Sequence, residues 1–192
     1  MTNGVHFNND LWHIHEEDFQ KCIPFDSVLI IIAAYNGQQV HLDRQYSLCK
    51  RLHDMGKTLI FRIESRGFQD VARFVQQWAP ILNSLLPFGD HFQINNEVQH
   101  PGEQFGGPSD HIALRYNGYF CELLTALRPL VPGARFGFPG LAVQQNDLAW
   151  WRLCKDAITL ADWCGCHVYW QYGNYDDPQW WRRYELLRSM YP

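Results

Sequence analysis

The stretch KTLIFRIESRGFQDVARFVQQWAPILNSLLPFGDHFQINNE, residues 57–97, decides the fold. Its opening KTLIFRIES (57–65) sets β-branched and aromatic residues around single polar ones, the composition of a strand. FQDVARFVQQWAPILNSLL (68–86) then repeats apolar residues at three- and four-residue spacing, the period of an amphipathic helix. HFQINNE (91–97) returns to strand character. Strand, helix and strand in so short a space make a βαβ unit, whose two strands lie parallel.

The same alternation runs outward in both directions. Before it stand the strand-like GVHF (4–7) and SVLIIIAAY (27–35) and the helix-like LDRQYSLCKRLHDMG (42–56). After it come SDHIALRYNGYFCELLTALRPL (109–130), ARFGFPG (134–140), DLAWWRLCKDAITLADW (147–163), CHVYWQY (166–172) and DPQWWRRYELLRSM (177–190). Ser109 and Asn146 fall where helix N-caps belong, and Gly56 and Gly133 where helices exit. β followed by α, six times, predicts an α/β fold with a parallel sheet and helices packed outside it.

Two architectures alternate in this way. A doubly wound nucleotide-binding sheet would show a Gly-rich turn after its first strand, and here that strand is followed by NNDLWHIHEED, with no GxGxxG and no P-loop. A barrel instead brings polar residues to the carboxyl ends of many strands. Asn8 and Asn9, Asn36, Glu64, Asn96 and Glu97, and Tyr169 and Gln171 fit that pattern. The expectation is a TIM-barrel-like single domain over residues 1–192 with about six recognisable βα units. A complete (β/α)8 barrel takes about 250 residues, so the barrel is expected to be incomplete, or closed by oligomerisation.

Composition removes other classes. A formal charge of −4 without any basic run argues against a nucleic-acid partner. The longest apolar run, VLIIIAAY, is too short to span a bilayer, and MTNGVHFNND lacks the features of a signal peptide, so no membrane partner and a cytoplasmic location are expected. Cys22, Cys49, Cys121 and Cys154 read as small buried apolar residues, reduced in such a compartment. The Cys164-Gly165-Cys166 pair beside His167 lacks CxxC spacing and a second ligand pair, so neither a metal nor an organic cofactor is implied.

Strand four ends in Asn95, Asn96 and Glu97 and runs into the Gly- and Pro-rich VQHPGEQFGGPSDH, the composition of an active-site loop. Asn96-Glu97 and His167-Val168-Tyr169 together resemble the retaining glycoside hydrolases of clan A. That family's fourth strand ends in Asn-Glu, and its sixth often carries His-x-Tyr. The opening GVHF and the passage LADWCGCHVYW are also similar to the family, so the resemblance runs over essentially the whole chain. It implies Glu97 as acid/base on a β-linked glycan, with Asn96, His167 and Tyr169 at the sugar. The family's nucleophile, a Glu ending strand seven, has no counterpart here, nor has the Arg often found near the end of strand two. The resemblance therefore implies a shortened relative, strands supplied by another chain, or a lost activity.

Glycoside hydrolysis needs two carboxyl groups, about 5–5.5 Å apart for retention and about 6.5–9.5 Å for inversion. Beside Glu97 the best second candidate is Glu64, since neighbouring strands lie about 4.8 Å apart. Its competing role is a structural ion pair with Arg62 or Arg66. Glu103 and Asp110 are weaker candidates, because loop carboxylates are usually just solvated. Asn36 and Trp170 complete the candidate carbohydrate-binding set, while His167 and Tyr169 fit equally an aromatic-rich strand packed inside the barrel. The Trp pairs at 150–151 and 180–181 are expected to cover the sheet or fill an interface. An open sheet edge predicts a homo-oligomer or a rearranged edge. Three functions remain: a glycoside hydrolase-like enzyme of weak or no turnover in isolation, a catalytically inactive carbohydrate-binding relic, and an oligomerising α/β protein without sugar function.

Overall fold

A computed structural model describes residues 4–7, 13–33, 42–143, 146–167 and 183–191. Among the described residues there are six strands: β1 (Gly4–His6), β2 (Ser27–Ala33), β3 (Thr58–Glu64), β4 (His91–Ile94), β5 (Arg135–Phe138) and β6 (Trp163–Cys164). Around them lie α1 (Glu16–Cys22), α2 (Leu42–Asp54), α3 (Val71–Leu85), α4 (Asp110–Leu127), α5 (Asp147–Leu153), α6 (Lys155–Leu160) and α7 (Arg183–Met190). The strands pair in chain order, β1-β2-β3-β4-β5-β6, and every pair is parallel. A doubly wound sheet reverses its strand order once. This one does not reverse, and its six βα units form a curled half-barrel of TIM-barrel type.

Period-two alternation sorts the side chains of each strand. Val28, Ile30 and Ile32, then Leu59, Phe61 and Ile63, then Phe92 and Ile94, then Phe136 and Phe138 are buried on the helix-covered face. Phe61 stacks on Phe92 at 5.3 Å between ring centroids, and Phe138 meets Phe120 of α4 at 5.3 Å. α3 contributes Phe74, Val75, Trp78, Ala79, Leu82 and Leu85 to this core, and α4 contributes Tyr116, Phe120, Leu123, Leu124 and Leu127. Alternate positions, Ile60, Arg62 and Glu64 on β3 with His91 and Gln93 on β4, stand on the opposite face, where register sets Arg62 against Gln93.

Several boundaries depart from the sequence reading, each for a local reason. Ser109 caps α4 as expected, its hydroxyl accepting from the Ile112 N–H at 3.4 Å, and Asp70 caps α3 from Arg73 N–H at 2.9 Å. Asn146 stands at the N-cap position of α5 as expected, but its side chain makes no capping bond. Its own φ is 59°, and its side-chain amide donates to the Pro108 carbonyl at 2.9 Å and to Asp110 at 3.0 Å. The single helix expected over 147–163 is two, interrupted at Cys154 (φ −91°, ψ 26°). β6 begins at Trp163, earlier than the expected 166, because Gly137 opposite it has no side chain; a Cβ there would lie 2.4 Å from the Trp163 ring. α1 lacked a clear sequence signal and is short. Trp150 and Trp151 are core residues, while Trp180 and Trp181 lie outside the described residues.

Candidate functional site

β4 stops at Ile94 because the next residues leave the extended conformation. Asn95 takes φ 65° and Glu97 φ 35°, both in the left-handed region. Asn tolerates that region; for Glu it costs on the order of 1–3 kcal/mol and persists only where surrounding bonds hold it. Those bonds are present. Asn95 N–H donates to the Ile63 carbonyl of β3 at 2.8 Å, and Glu97 N–H donates to the Gly140 carbonyl beyond β5 at 2.9 Å. The buried Asn95 side chain accepts from Ser65 Oγ at 2.8 Å and donates to the fully buried Tyr116 hydroxyl at 3.4 Å. Burial holds the Tyr116 phenol well above its ordinary pKa, so it serves as a neutral partner. The turn that aims Glu97 is therefore fixed from three neighbouring elements.

Glu97 meets His167, which follows β6, with 2.7 Å between Oε1 and Nδ1. The other imidazole nitrogen, Nε2, lies 3.3 Å from Arg62 Nη2 of β3. Arg62 can only donate, so Nε2 accepts, and Nδ1–H donates to the carboxylate. A chain of bonds thus crosses three strand exits, from Arg62 through His167 to Glu97. The carboxylate and imidazole side chains are 18 and 16% exposed, shielded yet reachable. Gly140 makes room for the ring, since a Cβ there would come within 2.4 Å of His167 Cδ2.

Two further carboxyl groups reach the same place. Burial lowers the pKa of Arg62, and the charges of Glu64, Glu97 and Glu103 oppose that shift, with Glu64 the strongest of the three. Glu103 sits on a short 3-10 turn, Pro101–Glu103, in the loop between β4 and α4. Burial pushes its carboxyl pKa up and Glu64 pushes it further, while a hydrogen bond from the Asn96 side chain and the Arg66 charge pull it back and Glu97 raises it again. Among the described residues Asn96 Oδ1 and Arg62 Nε are buried without a hydrogen-bond partner. Unmet capacity on two polar groups beside the carboxylates is the condition of a site that takes a polar ligand.

Of the residues expected from sequence, Glu97, Glu64, Asn96 and His167 come together here. Asn36, Tyr169 and Trp170 lie outside the described residues. Arg62 entered the reading only as an ion-pair partner for Glu64, although their two-residue spacing on one strand already places both on one face. Glu103, ranked low as a loop carboxylate, is half-buried in the cluster, and no short-range pattern marks it. Burial raises Cys164 to about 12 and Cys166 to about 11, which keeps both as neutral thiols near neutral pH. Among the described residues no three His, Cys, Asp or Glu side chains are grouped to hold a metal ion, and no helix is long and apolar enough to cross a membrane.

No protein-family model and no curated protein matches the chain. Solved structures do resemble it. One is a glycoside hydrolase, at a TM-score of 0.57 and 14% identity over 97% of this chain and 66% of that one. Another is a family 51 alpha-L-arabinofuranosidase from Bifidobacterium longum, at 0.56 and 12%, over 91% of this chain and 45% of that one. A third is a sugar phosphate isomerase/epimerase from Parabacteroides distasonis, at 0.56 and 10%, over 92% and 73%. At such identities the likeness speaks for the fold alone. The chain spans about two thirds of the first structure's length and less than half of the second's.

Proposed function

We propose that this chain carries a glycoside hydrolase-type site that acts on a β-linked glycan, with Glu97 as acid/base and Asn96 holding a sugar hydroxyl. One observation carries the reading. Side chains from the exits of three parallel strands, Arg62, Glu97 and His167, bond to one another at the carboxyl end of a barrel sheet, where such folds do their chemistry. The left-handed backbone at Glu97 adds to it, because strain of that kind collects where a side chain must be aimed. Two of the solved structures described above bear the names of carbohydrate hydrolases. The third is named for a sugar phosphate isomerase/epimerase; here Glu64 and Glu97 offset Arg62 and Arg66, which leaves no excess of positive charge to hold a phosphate dianion.

The test is a panel of 4-nitrophenyl β-glycosides, covering gluco, galacto, manno and xylo sugars, assayed with wild type and Glu97→Gln. Turnover by wild type is expected to fall about 10²–10⁴-fold in the variant, the usual worth of a positioned acid/base. Sugar binding by both proteins with turnover by neither would make this a carbohydrate-binding site without chemistry. Absence of binding and turnover in both would overturn the saccharide reading.

A further inference from the structure

From the bonds at the two nitrogens of one imidazole we infer that Arg62 is a positioning residue: by donating to His167 Nε2 it keeps the ring proton on Nδ1, and so keeps the proton that Glu97 delivers on Oε2. The inference rests on the glycosidase reading above and deepens it, adding to the acid/base the residue that places its proton.

Two distances carry it. Arg62 Nη2 lies 3.3 Å from His167 Nε2, and His167 Nδ1 lies 2.7 Å from Glu97 Oε1. A neutral imidazole has one donor and one acceptor, so the group facing one nitrogen decides what the other does. A carboxylic acid can both donate and accept, so Glu97 by itself would allow either tautomer. With the proton on Nδ1, Oε1 accepts from the ring, and the acid form of Glu97 carries its own proton on Oε2. With Nδ1 bare, that proton would sit on Oε1, tied up in a bond to the ring. A guanidinium has no acceptor, so Arg62 at Nε2 rules out the second arrangement.

The surroundings hold these groups together. Arg62 stands on β3 opposite Gln93, its Nε is buried, and the charges of Glu64, Glu97 and Glu103 act on its guanidinium. Gly140 lies against the Nε2 edge of the ring, since a Cβ there would come within 2.6 Å of Nε2. The carbonyl of the same residue accepts from Glu97 N–H at 2.9 Å, so ring and acid are seated on one residue.

Two measurements on the full chain test the inference. Two-bond ¹H–¹⁵N correlation spectra in mildly alkaline buffer report which ring nitrogen carries the proton, with the His167 signals assigned by their loss in His167→Gln. Wild type is expected to show Nδ1–H, and Arg62→Met, which removes the donors, to shift toward Nε2–H. Rates supply the other reading, because a dinitrophenolate leaves without a proton and a phenolate needs one. In Arg62→Met the loss of kcat/KM is expected to be at least about tenfold greater on phenyl than on 2,4-dinitrophenyl β-glycosides. Nε2–H in wild type overturns the proposal without any variant, and so does an unchanged tautomer in Arg62→Met. Equal losses on the two substrates overturn the proton-placing role and leave the glycosidase reading standing. Turnover by wild type on neither substrate, with the expected spectra, overturns the glycosidase reading and supports Arg62 as the residue that sets the tautomer.

Discussion

Among the described residues, the Asp147–Arg183 pair and the Arg62–His167–Glu97 group differ in what is left over. Asp147 of α5 and Arg183 of α7 are 4 and 5% exposed, and Nε and Nη2 of the guanidinium both reach one carboxylate oxygen, Nε at 2.8 Å. The pair ties a distant helix to the body beside Trp151, whose ring centre is 5.8 Å from the guanidinium carbon. The Arg62–His167–Glu97 group is more open, and the charges of Glu64 and Glu103 also act on its guanidinium. Its Arg62 Nε and the neighbouring Asn96 Oδ1 find no hydrogen-bond partner among the described residues. A mutually satisfied pair fixes an element. A group with spare donors and acceptors, held by strained backbone, is prepared for something else.

Substitutions can break that contrast. Asp147→Ala removes the carboxylate facing a buried guanidinium and is expected to cost about 3–5 kcal/mol of stability, read by urea denaturation, with kcat/KM per folded molecule within a few-fold of wild type. A loss below about 1 kcal/mol would show that the pair is not structural in this sense. Gly140→Ala acts the other way. Its new methyl displaces the His167 ring, so turnover is expected to drop about 10²-fold, the effect of misplacing a reacting group by about 1 Å, with little change in Tm. A large fall in Tm with activity intact would reverse the contrast.

The smallest effect concerns pH. The folded chain binds the Glu103 proton more tightly than the unfolded chain does, so this group's contribution to stability is fully present below the ordinary glutamate value of about 4.3 and is lost as pH rises through the raised one. Glu103→Gln removes that loss. Relative to wild type it is expected to gain stability between mildly acid and neutral pH and to gain none below about pH 4. A variant destabilised equally at all pH values would mean that Glu103 packs rather than titrates.

The strand–helix rhythm and the sequential sheet were legible because buried strands and amphipathic helices carry different periods over many residues. What the reading missed was conformational and long-range. Extending β4 to Glu97 followed the alternation of HFQINNE, yet Asn95 and Glu97 turn left-handed because Ile63, Gly140, Ser65 and Tyr116 hold them there, and all four are remote in sequence. Asn96, Glu97 and His167 could be picked out by residue type and order. Glu103 could not, because its place depends on Phe105 finding Phe68 and Tyr116 across the fold. Arg62 was readable from its spacing to Glu64 and was passed over because an ion pair explained it.

Because each ribbon of the sheet lies beside its predecessor in the chain, assembly never has to bring far-apart segments together before its neighbours are in place. Every added unit closes only a short loop, at modest entropic cost. Folding can then advance by accretion, and a nucleus around β3, α3, β4 and α4, where Phe61, Phe74, Trp78, Phe92, Tyr116 and Phe120 are buried, needs no distant partner to begin.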